Sequence, residues 1–130
     1  MKYRILASTA AVTTAALASL VGPAAAAQAA PPCVQKISVV NNAGFVASFR
    51  VTTPAGVETP STDEYPIDQW RTIDLTPTGI PENTSVRPIV HAVAGVDNPG
   101  NTWVSYCANG QTATYSVTGT TQNFTVTLLT

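Results

Sequence analysis

Charge is scarce in this chain: of its 130 residues only 10% are Asp, Glu, Lys or Arg, and the formal net charge is −1. A disordered acidic or basic tail needs far more charge, and the cationic surface on which non-specific nucleic-acid binding depends is missing, so nucleic acid is excluded as a partner. Histidine occurs once, at His91, and cysteine twice, at Cys33 and Cys107, without a CxxC spacing. No metal is expected from so few ligands, and no cofactor, because no nucleotide-binding loop is found. Catalytic motifs are missing too, so the chain is read as a non-enzyme. Helical periodicity is absent after residue 30, which excludes a helical bundle and leaves strands.

What is present begins with a leader. Lys2 and Arg4 supply a basic start, Ile5 to Val21 an apolar stretch of small residues, and Ala27-Gln28-Ala29 the small-x-small pattern that signal peptidase accepts. Residues 1–29 are expected to be a secretory signal peptide, and 30–130 a single domain, secreted and extracellular. Ser8, Thr9, Thr13, Thr14 and Ser19, with the break at Gly22-Pro23, make the stretch too polar and too short for the roughly 20 apolar residues of a membrane span. No span is expected in the mature chain. The Ala/Thr-rich leader suggests a bacterial source. Cleavage leaves four bases (Lys36, Arg50, Arg71, Arg87) against seven acids, a net charge of −3. In an oxidising compartment Cys33 and Cys107 are expected to form a disulfide.

Period-two alternation recurs in runs rich in Val, Ile, Thr and aromatics, parted by Gly, Pro and Asn. Strands are expected at 35–42, 45–53, 69–75, 86–94, 102–108, 112–117 and 122–129. About seven short strands in one small domain predict an all-β fold, a small antiparallel β-sandwich of immunoglobulin-like or jelly-roll-like kind. Asn109-Gly110 predicts a type I′ hairpin that pairs Tyr106 with Ala113 and Val104 with Tyr115. Val104, Tyr106, Ala113, Tyr115 and Val117 then face the core, as do Phe45, Ala47, Phe49 and Val51 on an earlier strand and Phe124, Val126 and Leu128 on the last. Ser48, Arg50 and Thr52 face outward, and so do Trp70, Thr72 and Asp74, opposite Ile73 and Leu75. Pro88 cannot donate to a ladder and marks 86–94 as an edge or bulged strand. The Pro-rich connection 54–68 reads as a surface loop, and Asp97-Asn98-Pro99-Gly100-Asn101 as a turn.

Candidate chemistry is thin. His91 shares an outward face with Arg87, but no serine sits in a recognisable nucleophile elbow, so a solvated strand histidine is the expectation. Asp63, Glu64 and Asp68 cluster in the 54–68 loop without the spacing of a calcium loop. Asn83-Thr84-Ser85 and Asn123-Phe124-Thr125 match the glycosylation pattern, the second within an expected strand. The remaining candidates are aromatic: Trp70, Trp103 and Tyr65, placed outward among Thr, Ser and Asn. Such rings suit stacking on sugars or anchoring a protein. For Trp103 the alternative is cover by the segment 31–36, tethered nearby through Cys33.

A strand leading into Val40-Asn41-Asn42-Ala43-Gly44 resembles the opening of several secreted β-sandwich groups, aegerolysins and thaumatin-like proteins among them. The likeness is confined to that segment. The multi-disulfide framework of thaumatin-like proteins and the tryptophan-rich composition of aegerolysins are absent, and no function or site residue is carried over. The chain is thus read as a secreted binding or surface-interaction protein, contacting glycan or an extracellular protein through outward aromatics. The alternative is a small extracellular protease inhibitor presenting a Pro-rich loop such as 54–68.

Overall fold

The structure, a computed structural model, describes residues 32–129; the leader expected over 1–29 lies outside them. Among the described residues nine strands form two mixed sheets, without an α-helix. The first sheet contains β1 (Cys33–Val34), β7 (Val104–Tyr106), β5 (Ser85–Ala92) and β3 (Ala47–Thr52) in that order, with β6 (Asp97–Pro99) also paired to β5. The second has the order β4 (Trp70–Asp74), β2 (Lys36–Asn41), β8 (Thr112–Thr120) and β9 (Asn123–Leu129). Each of the seven expected runs coincides with one of these strands. No helix among the described residues is long and apolar enough to cross a membrane.

The purely antiparallel expectation is corrected by two parallel pairs, β1 with β7 and β2 with β8. Their cause is shared. The chain passes from the first sheet to the second at Gln35 without reversing, and does so again over 107–111, so β1–β2 runs alongside β7–β8 like one bent strand beside another. Cys33 pairs with Ser105 and Lys36 with Thr112, so 107–111 holds four more residues than the Gln35 crossing. The Asn109-Gly110 hairpin therefore does not exist: β7 and β8 belong to different sheets. A type I′ turn needs positive φ at both central residues, and of these two only Gly110 has it (φ 76°). Asn109 instead donates through Nδ2 to the Cys33 carbonyl (2.9 Å), and Gly110 N–H donates to Gln35 Oε1 (2.8 Å). Inward faces survive the error, because alternation along a strand is independent of its partner.

Two further expectations are corrected. Asp97 to Pro99 is a strand, not a turn, because β5 has a vacant side to which this short segment pairs (Ile89 with Pro99, His91 with Asp97). Pro88 sits in an interior strand. Opposite Val51 it faces away from β3, at the point where the other side of β5 changes partner from β7 to β6, so its missing N–H breaks no ladder bond. The 54–68 connection is an exposed loop as expected, but one tied to the sheet: Thr59 N–H donates to Val51 O (2.9 Å), Thr62 N–H to Phe49 O (2.8 Å) and Tyr65 N–H to Ala47 O (2.8 Å). This segment covers the edge of β3. Ser48 and Thr52, expected outward, are each only 7% exposed beside it.

The core is supplied by both sheets. Ile37, Val39, Tyr115 and Val117 from the second join Phe49, Val51, Val86, Val90 and Val104 from the first, all fully or almost fully buried. Phe45 and Phe124 meet with ring centroids 5.1 Å apart. The phenol of Tyr115 donates to the Thr102 carbonyl (2.6 Å), and burial pushes its pKa up to about 12. Gly119 opens the β8–β9 hairpin at φ 124°, where an added Cβ would lie 2.5 Å from Asn123 O and 2.7 Å from Phe124 Cα. Both the backbone conformation and the space demand glycine. Gly119→Ala is expected to cost more than about 1 kcal/mol, measured as a lower urea midpoint at unchanged slope.

Candidate functional site

Trp70 owes its position to a kink at the start of β4. Asp68 adopts positive φ (72°), which lets its N–H donate to Asn41 O (2.7 Å) while Asn41 N–H donates to Gln69 O (2.8 Å). From that anchor the strand alternates. Arg71 turns inward, its guanidinium 4.8 Å from the Tyr65 ring centroid, and donates to Asp63 through Nε (2.9 Å) and Nη2 (3.2 Å). Arg71 Nη1 also donates to the Trp70 carbonyl (2.9 Å). With its neighbour so held, the Trp70 indole must point out, and it is 63% exposed.

The sheet surface across from it is almost uncharged. Register places Trp70, Val40, Ser116 and Thr127 in one row across the second sheet, and Thr72, Ser38, Thr114 and Leu129 in the next. Thr72 Oγ1 donates to Ser38 Oγ (3.2 Å), Asn42 Nδ2 donates to Ser116 Oγ (2.8 Å), and Thr118 and Thr125 share a hydrogen bond (3.2 Å). Charge is confined to the ends of these rows: Lys36 stands in register with Asp74 at one, and the exposed Asp68 and the Arg71–Asp63 pair adjoin Trp70 at the other.

The other two aromatic candidates are elsewhere. Tyr65 is corrected: it is fully buried, because its backbone pairs with Ala47 and its hydroxyl donates to Val39 O (2.9 Å). Burial raises its pKa far above the ordinary phenol value. It cannot touch a ligand. Trp103 lies on the outer side of the first sheet but is partly buried, with the Arg87 guanidinium 4.2 Å from its ring centroid. Arg87 Nη1 donates to Gly100 O (3.3 Å) while its buried Nε has no partner. The two tryptophans thus lie on different sheets and form no joint platform. Arg71 and Arg87, which fix or cover the rings, escaped the sequence reading. The available signal was phase: Arg71 alternates with Trp70 and shares the inward side of Ile73, where a cation needs a partner.

On the outer face of the first sheet Ser48, His91 and Asp97 stand in register on β3, β5 and β6. His91 Nδ1 lies 2.7 Å from Asp97 Oδ1, and Arg50 bridges Asp97 (3.3 Å) and Glu58 (2.9 Å). Ser48 Oγ makes no hydrogen bond to His91, so the activated nucleophile that a triad requires is not assembled. Of the loop acids, Asp63 is held by Arg71 and Asp68 by its backbone, and among the described residues no three His, Cys, Asp or Glu side chains converge.

Three aspartates carry lowered pKa values: Asp63 through the Arg71 hydrogen bond, Asp74 through the Thr76 N–H, and Asp97 through His91 and then Arg50. A depressed carboxyl stabilises the fold above its unfolded value, 3.8, and loses that contribution as pH falls through the folded one. The melting temperature is expected to be flat above about pH 5 and to fall below about pH 4, with a shallower fall in Asp97→Asn. Calorimetry across that range checks it.

No family model and no curated protein matches the chain. A solved structure described as "Trapped Toxin" is similar to 70% of this chain at 17% sequence identity with a TM-score of 0.35, and the chain spans 22% of that structure's length.

Proposed function

We propose that this chain is a secreted, non-enzymatic binding module whose two sheets form a β-sandwich and whose outer four-stranded face contacts an uncharged polysaccharide. One observation carries the reading: Trp70, 63% exposed, stands at the margin of a surface made of Ser and Thr hydroxyls. A large apolar residue left in water has no stabilising role there, and an indole offers a rigid face for the C–H side of a sugar ring at little entropic cost. Hydroxyls beside it match sugar hydroxyls without the desolvation cost of charge. The Cys33–Cys107 disulfide accords with an extracellular setting.

Co-sedimentation with insoluble polysaccharides and microbial walls tests the reading, with Trp70→Ala beside the native chain. Trp70→Ala is expected to weaken retention at least about tenfold while the melting temperature stays within about 2 °C, since an exposed side chain contributes little to packing. Trp103→Ala should do the opposite, because it removes the ring on which Arg87 rests. Equal retention of Trp70→Ala and the native chain sinks the proposal.

A further inference from the structure

The strand edges of this molecule are not treated alike. The edge of β3 is covered by the 57–65 segment, as described above. The edge of β9 is capped by Asn101, whose N–H donates to Val126 O (2.8 Å) and whose Oδ1 accepts from Leu128 N–H (2.9 Å), and by Asn98 Nδ2 donating to Phe124 O (2.8 Å). β4, the terminal strand on the other side of the second sheet, has no such cover. Leu75 N–H and Gln69 O point toward β2, so alternation turns the N–H and C=O groups of Trp70, Thr72 and Asp74 to the free side. Of these, the Trp70 carbonyl is taken by Arg71. The rest meet no other strand among the described residues.

Beside that free edge lies a groove of about 470 Å³, between the end of β4, the 57–60 segment and the turn at 77–80. Its walls are mostly apolar, including Ile73, Pro77, Ile80 and Val57, the last 56% exposed. Two carboxylates, Glu58 and Asp74, line it, and no lysine or arginine does. Arg50 reaches Glu58 from the outer face and Lys36 stands across from Asp74, so each carboxylate is only partly compensated in a domain of negative net charge.

We propose that the β4 edge and this groove bind an extended peptide of alternating apolar and basic residues, added as a further strand. Each element of the occupant follows from the site. Unpaired amide and carbonyl groups along an edge are matched, in spacing and in alternation of donor and acceptor, by an extended backbone. Side chains in phase with Ile73 enter the groove and must be apolar. Those in phase with Asp74 lie over the outer face of the second sheet, where lysine or arginine meets the Asp74 carboxylate. The edge adjoins the polysaccharide face along β4, but the peptide is held by the edge amides and the groove, and neither assignment rests on the other.

Fluorescence anisotropy with a labelled heptapeptide, Thr-Val-Lys-Val-Lys-Val-Thr, tests it against the protein. Saturable binding is expected, weakened at least about tenfold when alternate peptide nitrogens are methylated or both lysines are replaced by glutamate. Thr72→Pro removes an N–H that serves no ladder bond, so the fold should persist while peptide affinity drops at least about tenfold; Asp74→Asn should lower it about threefold and weaken its salt dependence. The proposal is overturned by an absence of saturable binding at millimolar peptide. Equal affinity of the methylated peptide overturns it too, since its binding would not use the edge, and so does self-association through β4 in place of peptide capture.

Discussion

Reducing the Cys33–Cys107 disulfide should lower the melting temperature by on the order of 20 °C. The bridge joins residues 74 apart in sequence. In the chain-entropy account, closing a loop of that size removes roughly 4 kcal/mol of freedom from the unfolded chain, and in a domain of this size each kcal/mol moves the midpoint by about 4–8 °C. The folded side of the balance adds to this. β1 is only two residues long and is held to β7 by a short ladder, continued by the Cys107 N–H donating to Val34 O (2.8 Å). Without the covalent tie, little keeps β1 docked, and Val34, 4% exposed, would lose its burial. Calorimetry of the protein with and without a thiol, and of the Cys33→Ser, Cys107→Ser double variant, measures the effect. A drop under about 5 °C would mean that β1 frays locally while the two sheets melt unchanged. An unaltered midpoint would remove the bridge from the stability argument altogether.

How much of this was legible follows from what alternation can and cannot encode. Alternation records which side of a strand is dry, so the inward sets Phe49–Val51, Val104–Tyr106 and Ala113–Val117 were readable. It does not record the neighbour. Asn109-Gly110 has the composition of a hairpin, yet the chain there changes sheet and continues in the same direction, held by Asn109 to Cys33 and by Gly110 to Gln35, contacts that are remote in sequence. Tyr65 failed for a related reason. A tyrosine in a Pro-rich stretch looks exposed, but the stretch is a β3 edge cover, and only the fold supplies the Val39 carbonyl that satisfies its hydroxyl. Trp70 was readable because one alternating strand fixes it. The open edge of β4 was not, since openness is a statement about strands that do not arrive.

Asn41→Ala is expected to destabilise the domain by about 3 kcal/mol, although the residue touches no candidate ligand. Asn41 occupies the inward phase of β2 after Ile37 and Val39, and it is fully buried. Its Nδ2 donates to Phe45 O (2.6 Å) and Tyr65 O (3.2 Å), and its Oδ1 accepts from Ala43 N–H (2.9 Å). One side chain therefore closes the 42–46 loop and ties it to the cover of β3. Alanine would leave two carbonyls and one N–H without partners, each costing about 1–3 kcal/mol when buried, less whatever water can repair. The polar inward residue that looked like part of a short family resemblance is thus explained by three hydrogen bonds. Asn41→Asp separates this account from simple loss of volume. The introduced carboxyl has the shape of the amide but would face two carbonyl oxygens, so it should cost more than alanine at neutral pH, and its pKa should be raised. A raised folded pKa means that stability is recovered as pH falls toward the folded value, and the gap between Asn41→Asp and the native chain should narrow from pH 7 to about pH 5. Equal damage at every pH would show that the site admits water and that the three bonds are not the cause. Because the backbone of Asn41 also anchors Asp68 and Gln69, both variants should loosen the start of β4, and retention on polysaccharide should fall with them at temperatures where the rest of the domain is still folded.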